Sequence, residues 1–150
     1  MNLDTYNYKT HESILSYEFY SNGPNGRVKK IVRFSPQNSN GITYFSLGFG
    51  DWNEDFNQVD DRIITNNLDR NKILATVAST VLDFTKQFPD VIVYARGSTP
   101  ARTRLYQISL ATNWEEIDRI LLVYGFKNGK WYLFEKNINY EALLIKRKKL

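Results

Sequence analysis

The sequence predicts an α+β fold, with a mostly antiparallel sheet of about five to six strands and two main helices packed on one face. β-rich segments separated by turn residues come first, periodic helical segments follow, and an Asn-Gly hairpin lies near the C-terminus. A chain of 150 residues has the usual length of one domain. Residues 1–150 are therefore predicted to form a single domain, with 1–14 as a candidate loosely ordered end and 146–150 as a basic tail.

The first strands are predicted as a three-stranded meander. Its segments are "LSYEFYS" (15–21), "RVKKIVRFS" (27–35) and "ITYFSLGFG" (42–50), separated by the turn clusters "NGPNG" and "PQNSNG". The middle strand presents apolar residues at Val28, Ile31 and Phe34. Its cations are expected on a basic outer face, formed by Arg27, Lys29, Lys30 and Arg33.

The segment 69–88 is predicted as a core helix. Apolar residues recur at helical spacing from Ile73 to Phe88, and Asn67 or Asp69 can cap the N-terminus. Pro89 ends the helix.

A buried strand at 91–96 is predicted to lead into a second helix at 99–111. Gly97 permits a tight reversal, Ser98 or Thr99 supplies the N-cap hydroxyl, and Pro100 suits the first helical position. A short helical turn at 112–120 and a hairpin around Asn128-Gly129 follow. The closing segment "INYEALLIKRKKL" fits either a helix or a strand.

The start of the second helix is the best candidate site. Backbone N–H groups at a helix N-terminus attract anions, so we predict a phosphate site formed by Arg96, Gly97, Ser98, Thr99 and Arg102. Tyr94 and Tyr106 could stack on a base. Arg104 lies about 200° around the helix from Arg102 and faces elsewhere. A purely structural cap whose arginines pair with carboxylates, or a contact with another protein, are the alternatives.

Composition excludes several other kinds of site. The chain has no cysteine and a single histidine, His11, so disulfides, thiolate zinc sites and multi-histidine metal sites are excluded. The acidic segment "DWNEDFNQVDD" (51–61) could bind Mg²⁺ or Ca²⁺ but does not fit the EF-hand pattern, which favours a solvated loop. No cofactor and no metal site is predicted.

Three functions remain open, and only the third is an enzyme activity. The leading hypothesis is a module that binds a phosphate-bearing ligand, RNA or a nucleotide. The second is a protein-interaction module, an antitoxin-like partner or a homodimer, that uses exposed aromatic residues such as Trp131 and Tyr132. The third is a metal-independent ribonuclease-like toxin with an arginine for charge stabilisation and Tyr106 or Glu116 for proton transfer.

The sequence also bears on location. No signal peptide is recognisable at the N-terminus, and the longest apolar runs have the length of strands, so a cytoplasmic protein without membrane segments is expected.

Three segments carry a resemblance to known sequences. They are "NNLDRNKILATVASTVLDF", "VYARGSTPARTRLYQ" and "YGFKNGKWYLFEKNINYEALLIKRK". The chain resembles a family of small bacterial proteins of Bacteroidetes type, about this long, that has no established activity. The resemblance implies a bacterial cytosolic α+β protein, suggests a toxin–antitoxin or phage-defence context, and assigns no catalytic residue.

Overall fold

The computed structural model describes residues 4–11, 13–53, 58–60 and 67–149. Its strands are β1 (Lys9–His11), β2 (Ser13–Gly23), β3 (Gly26–Ser39), β4 (Ile42–Asn53), β5 (Gln58–Asp60), β6 (Ile92–Ala95), β7 (Leu121–Lys127), β8 (Lys130–Leu133) and β9 (Ala142–Arg147). Its helices are α1 (Arg70–Gln87), α2 (Pro100–Ala111) and α3 (Trp114–Ile120).

All the strands belong to one mixed sheet. Eight follow one another in the order β1-β2-β3-β4-β6-β9-β7-β8, and the ninth, β5, pairs with β4. The α+β class is as predicted, but the expected five to six strands are wrong, since the described chain has nine. Among the described strands only β4 and β6 pair in parallel, which the α1 crossover between them allows.

The helices pack on one face of the sheet, which we call the helix-side face. Leu47, Ala95 and Leu143 are neighbours across three strands of this face, and they line one small gap together with Val81 of α1 and Leu110 of α2. The third helix, α3, buries Ile117 in the same core. The opposite face, which we call the open face, carries no helix among the described residues.

The predicted core helix is confirmed, and its N-cap is Asp69. The Asp69 side chain makes no capping bond but accepts hydrogen bonds from the hydroxyls of Tyr6 and Ser21, both at 2.5 Å. Asn67 instead secures the β2–β3 turn, since its side chain accepts from Asn25 N–H at 2.7 Å and donates to Gly26 O at 2.9 Å.

The N-terminal segment is tied to α1 by its tyrosines. Tyr6 N–H donates to Thr76 Oγ1 at 2.9 Å, and the Tyr8 hydroxyl donates to Asp83. Burial, and then the hydrogen bond to the Asp83 carboxylate, raise the pKa of Tyr8. Burial and the nearby Asp83 charge raise the pKa of Tyr17 as well.

One cation of the predicted basic face lies on the other side of the sheet. Lys30 is 0% exposed on the helix-side face, where it forms an ion pair with Asp51 of β4. The cause is strict alternation: Val28, Lys30, Val32 and Phe34 share one face of β3, and Ile31 points to the other. The prediction that Lys30 belongs to the basic outer face is therefore wrong.

The closing segment, for which the sequence allowed a helix or a strand, forms a strand. β9 inserts between β6 and β7, and Ala142, Leu143 and Ile145 are buried. The hairpin before it turns at Asn128 (φ 51°) and Gly129 (φ 77°), the left-handed pair that a tight hairpin requires. The predicted basic tail begins inside β9.

The predicted acidic loop is only partly within the described residues. Asp51 belongs to β4, and the main chain of residues 58–60 forms β5. Residues 54–57 and 61 lie outside the described part of the chain.

Candidate functional site

The start of α2 is closed by its own N-cap. Thr99 occupies that position, and its Oγ1 accepts from Arg102 N–H at 3.2 Å. The Thr99 carbonyl oxygen accepts from the N–H groups of Arg102 and Thr103, each at 3.1 Å. Of the two predicted caps, Thr99 is therefore the one used, with Pro100 as the first helical residue.

Gly97 is required by close packing. Its N–H donates to Thr103 Oγ1 at 2.9 Å, which folds the turn back onto the first turn of α2. A Cβ atom at Gly97 would lie 2.7 Å from Thr103 N and would collide with the Arg102 Cβ. The N–H groups of Gly97, Arg102 and Thr103 are thus bonded within the turn, which removes three backbone donors from a possible anion site.

The arginines around this turn lie in different surroundings. Arg96 is exposed and Arg102 is half-buried, and neither forms an ion pair with a carboxylate in the described residues. Arg104 instead donates to Asn139 Oδ1 and borders a shallow groove between α2 and the segment 136–140. Ser98 and Thr99 are exposed.

The two predicted stacking residues lie on opposite sides of the sheet. Tyr106 is 6% exposed and belongs to the core beneath α2, near Ala95. Tyr94 precedes Ala95 on β6 and therefore points to the open face. One base cannot stack on both rings. The burial of Tyr106 also removes it from a surface ribonuclease site, and Glu116 accepts a hydrogen bond from Asn113 at 2.8 Å.

Tyr94 belongs to a set of rings that crosses the open face. Its ring centroid lies 5.8 Å from that of Tyr44 and 6.4 Å from that of Trp131, which lies 5.0 Å from Phe126. Tyr44, Tyr94 and Phe126 are half-buried, and Trp131 is 41% exposed. We call these four residues the aromatic row.

The row results from strand order and register. Tyr94 is paired with Ser46 of β4 and Leu144 of β9, and Phe126 is paired with Trp131 across the β7–β8 hairpin. Because side chains alternate along a strand, the register puts all four rings on one face.

The open face is also basic. The strand register assigns one carboxylate to it among the described side chains, Glu18, which is buried beside His11 (3.2 Å) and Lys29 (3.8 Å). It assigns five cations to the same face, namely Lys9, Arg27, Lys29, Arg33 and Lys146.

Sequence reasoning missed Tyr44 and Phe126 as site residues. Both stand in strands whose alternate positions are aromatic or small, "TYFSLGFG" and "LVYGF". That alternation was the available signal. It did not indicate that β4, β6, β7 and β8 would bring the rings together, because these strands are not consecutive.

The fold and this face define an α+β protein with one sheet face covered by helices and the other aromatic and basic. The chain belongs to a family of unknown function, DUF6934, whose model matches residues 2–148. No curated protein and no solved structure matches the chain. Within the described residues, every helix is too short or too polar to span a bilayer.

Proposed function

We propose that this protein binds single-stranded RNA across the open face of its sheet. The observation that carries the proposal is the aromatic row, four rings each in contact with the next, on a sheet face without a helix over it in the described residues. Aromatic side chains on an open sheet are a common platform for unpaired bases, because every base has a π-face.

The charges of the open face support the same ligand. Arg33 is paired with Gly48, two residues along β4 from Ser46, the partner of Tyr94, and Lys146 is exposed on β9, two residues from Leu144. These cations can neutralise phosphates along a strand whose bases stack on the rings. The basic strand predicted from the sequence, without Lys30, thus contributes to the proposed interface.

The residues at the start of α2 that are predicted to bind phosphate form one end of the proposed path of the RNA strand across the open face. Arg96 follows Tyr94 by two residues, at the end of β6. β6 and β7 both pair antiparallel with β9 and therefore run in the same direction, so Phe126 lies towards the same end of the sheet. We propose that Arg96 and Arg102, with Ser98 and Thr99, hold a phosphate there.

Fluorescence anisotropy with a labelled single-stranded RNA of mixed sequence tests the stacking surface. Tyr44→Leu and Tyr94→Leu keep the apolar bulk and remove the rings, and each should weaken binding by roughly 5- to 100-fold. Phe88→Leu is the matched control, since Phe88 is half-buried and packs on Phe84 on the helix-side face. Equal affinity of the Tyr94 variant and the control would refute the proposed surface.

The salt dependence of binding tests the phosphate contacts. Lys146→Gln and Arg96→Ala should each lower the slope of log K against log salt by about 0.7, the value for one phosphate contact on a single strand. Lys86→Gln and Arg104→Ala are the controls on the helix side and should keep the slope. If Arg102→Ala and Arg96→Ala leave the slope unchanged, the α2 end of the path is wrong. Competition by a mononucleotide would indicate a nucleotide site.

A second candidate function is protein interaction. It is favoured by one observation: three consecutive large apolar residues of β8, at the edge of the sheet, are exposed, namely Trp131 (41%), Tyr132 (46%) and Leu133 (63%). An edge strand of this kind is open to pairing with another chain. A pull-down or light-scattering signal lost on substitution of β8, and kept on substitution of Tyr44, would support this function.

A further inference from the structure

The β8 edge of the sheet presents unpaired backbone groups as well as apolar side chains. Phe134 N–H donates to Val123 O at 3.0 Å, and Tyr132 is paired with Gly125 of β7. Hydrogen bonds alternate in direction along an antiparallel strand, so the N–H and C=O groups of Trp131 and Leu133 point away from β7. Since β8 is the last strand of the sheet, these groups line its outer edge, where the Leu133 carbonyl oxygen, which has two lone pairs, also accepts from the Tyr140 hydroxyl at 3.5 Å.

We propose that β8 pairs antiparallel with β8 of a second copy of this chain, around a two-fold axis at Tyr132. In this register Trp131 of each copy faces Leu133 of the other, and these are the two residues whose backbone groups point outward. The pairing forms four interchain hydrogen bonds and joins two sheets into one. A two-fold axis normal to the sheet keeps both helix layers on the same side.

Side-chain chemistry favours this occupant and this register. The two Tyr132 rings meet at the axis, and Trp131 packs beside Leu133 on the open face, so the exposed apolar residues of β8 cover one another. Lys130 faces Phe134 of the second copy rather than another lysine.

The contact is short, so the dimer is expected to be weak and dependent on concentration. The proposal does not depend on RNA. It predicts, however, that the aromatic rows of two copies face the same way in one extended surface, since Trp131 of each row lies on the paired strand β8.

Disulfide trapping tests the axis directly, because the natural chain contains no cysteine. Residues that face each other outside the hydrogen-bonded pairs have Cα atoms about 4.5 Å apart, which suits a disulfide. Tyr132→Cys should therefore form a covalent dimer rapidly under mild oxidation. Ile42→Cys and Ile14→Cys, at exposed apolar positions on other strands, should form it slowly.

The register has its own test. A mixture of Trp131→Cys and Leu133→Cys proteins should give the crossed dimer faster than either protein alone gives its own dimer. Equal rates for all three cysteine pairs, or trapping of Ile42→Cys as fast as Tyr132→Cys, would overturn the proposed pairing.

A backbone variant separates the dimer from the fold. Leu133→Pro removes an N–H that points to solvent, which an edge strand tolerates, and leaves the β7–β8 ladder intact. Sedimentation should show that the affinity of the dimer falls at least about tenfold. The two-fold symmetry means that the substitution removes two of the four interchain hydrogen bonds, one donated by each Leu133 N–H group. Leu133→Ala keeps the N–H and should retain more of the dimer.

Two outcomes would overturn the proposal. One is a wild-type chain that sediments as a monomer at every accessible concentration, and the other is a dimer that Leu133→Pro leaves unchanged. At a dilution where the wild type is monomeric, the RNA affinity per chain should be the same for the wild type and for Leu133→Pro. Failure of the proposed dimer can therefore be distinguished from failure of the proposed RNA surface.

Discussion

The two faces of the sheet are made by the same strands but have opposite chemistry. On the helix-side face, Phe34 stacks on Phe84 of α1 with ring centroids 4.0 Å apart, and both are fully buried. On the open face, Tyr94 and Trp131 are 6.4 Å apart and remain partly exposed. Alternation along each strand therefore separates residues that stabilise the fold from residues available to a ligand.

The largest expected effect is a loss of stability, and it distinguishes two neighbouring lysines that point to opposite faces of the sheet. Lys30→Met keeps the bulk of the side chain but leaves Asp51 as a buried charge without this ion pair, which should cost about 3–5 kcal/mol. Lys29→Met on the open face removes a partly solvated contact with Glu18 and should cost less than about 1 kcal/mol. Urea denaturation of the two variants measures the difference. Equal losses would contradict the assignment of the two lysines to different faces.

A pair of glycines gives the next contrast. Gly97→Ala should destabilise the protein by roughly 1–3 kcal/mol, because the new methyl group collides with the first turn of α2. Gly48→Ala on the open face is the control, since its Cβ would have one neighbour, Arg33 O at 3.9 Å. Thermal unfolding of both variants decides whether the α2 turn is as tightly packed as described.

Two adjacent hydroxyl residues at the start of α2, Ser98 and Thr99, allow a helix cap to be distinguished from a ligand site. Thr99→Ala removes the side chain that accepts from Arg102 N–H and should cost about 1 kcal/mol. Ser98→Ala, at an exposed position beside it, should change stability by less than about 0.5 kcal/mol. If the Ser98 variant weakens RNA binding without losing stability, the proposed phosphate site gains support, whereas the Thr99 variant would affect both.

Local signals were sufficient for several elements. The spacing from Ile73 to Phe84 predicted α1, the Gly-Ser-Thr-Pro segment predicted the α2 start, and Asn128-Gly129 predicted the hairpin. In each case the deciding interactions lie within a few residues of one another, so the sequence pattern contains them.

The remaining strands depend on distant partners. β1 is polar and forms a strand only by pairing with β2. β9 contains the continuous apolar run "ALLI", which suits its position between β6 and β7 but lacks the alternation that identifies a strand. The face of Lys30 was misjudged because Val28, Ile31 and Phe34 are spaced by three, whereas a strand alternates by two.

The candidate site shows the same limit. Tyr94 was predicted from its position beside the α2 start, but its ring partners come from β4, β7 and β8. Tyr106 stands where an exposed helical tyrosine could lie, and burial under α2 became evident only from tertiary packing. Residue type indicated stacking chemistry, and strand order decided which rings share a face.

The smallest expected effect concerns the tyrosine anchor on the helix side. Burial and Asp83 raise the pKa of Tyr8 above its ordinary value near 10, so the folded state holds this proton more tightly than the unfolded chain does. The resulting stability is complete below about pH 10 and declines as the pH rises further, because the unfolded tyrosine ionises first. Tyr17, whose pKa is also raised, adds to the decline.

Tyr8→Phe should therefore lose the hydrogen bond to Asp83 at neutral pH, a cost of about 1 kcal/mol, and show a shallower loss of stability above about pH 10. Denaturation midpoints measured across that range test the prediction. Asp83→Asn provides the second arm, since it removes the charge that opposes ionisation of both tyrosines. An alkaline decline as steep in Tyr8→Phe as in the natural chain would mean that Tyr8 does not anchor the N-terminal segment through this contact.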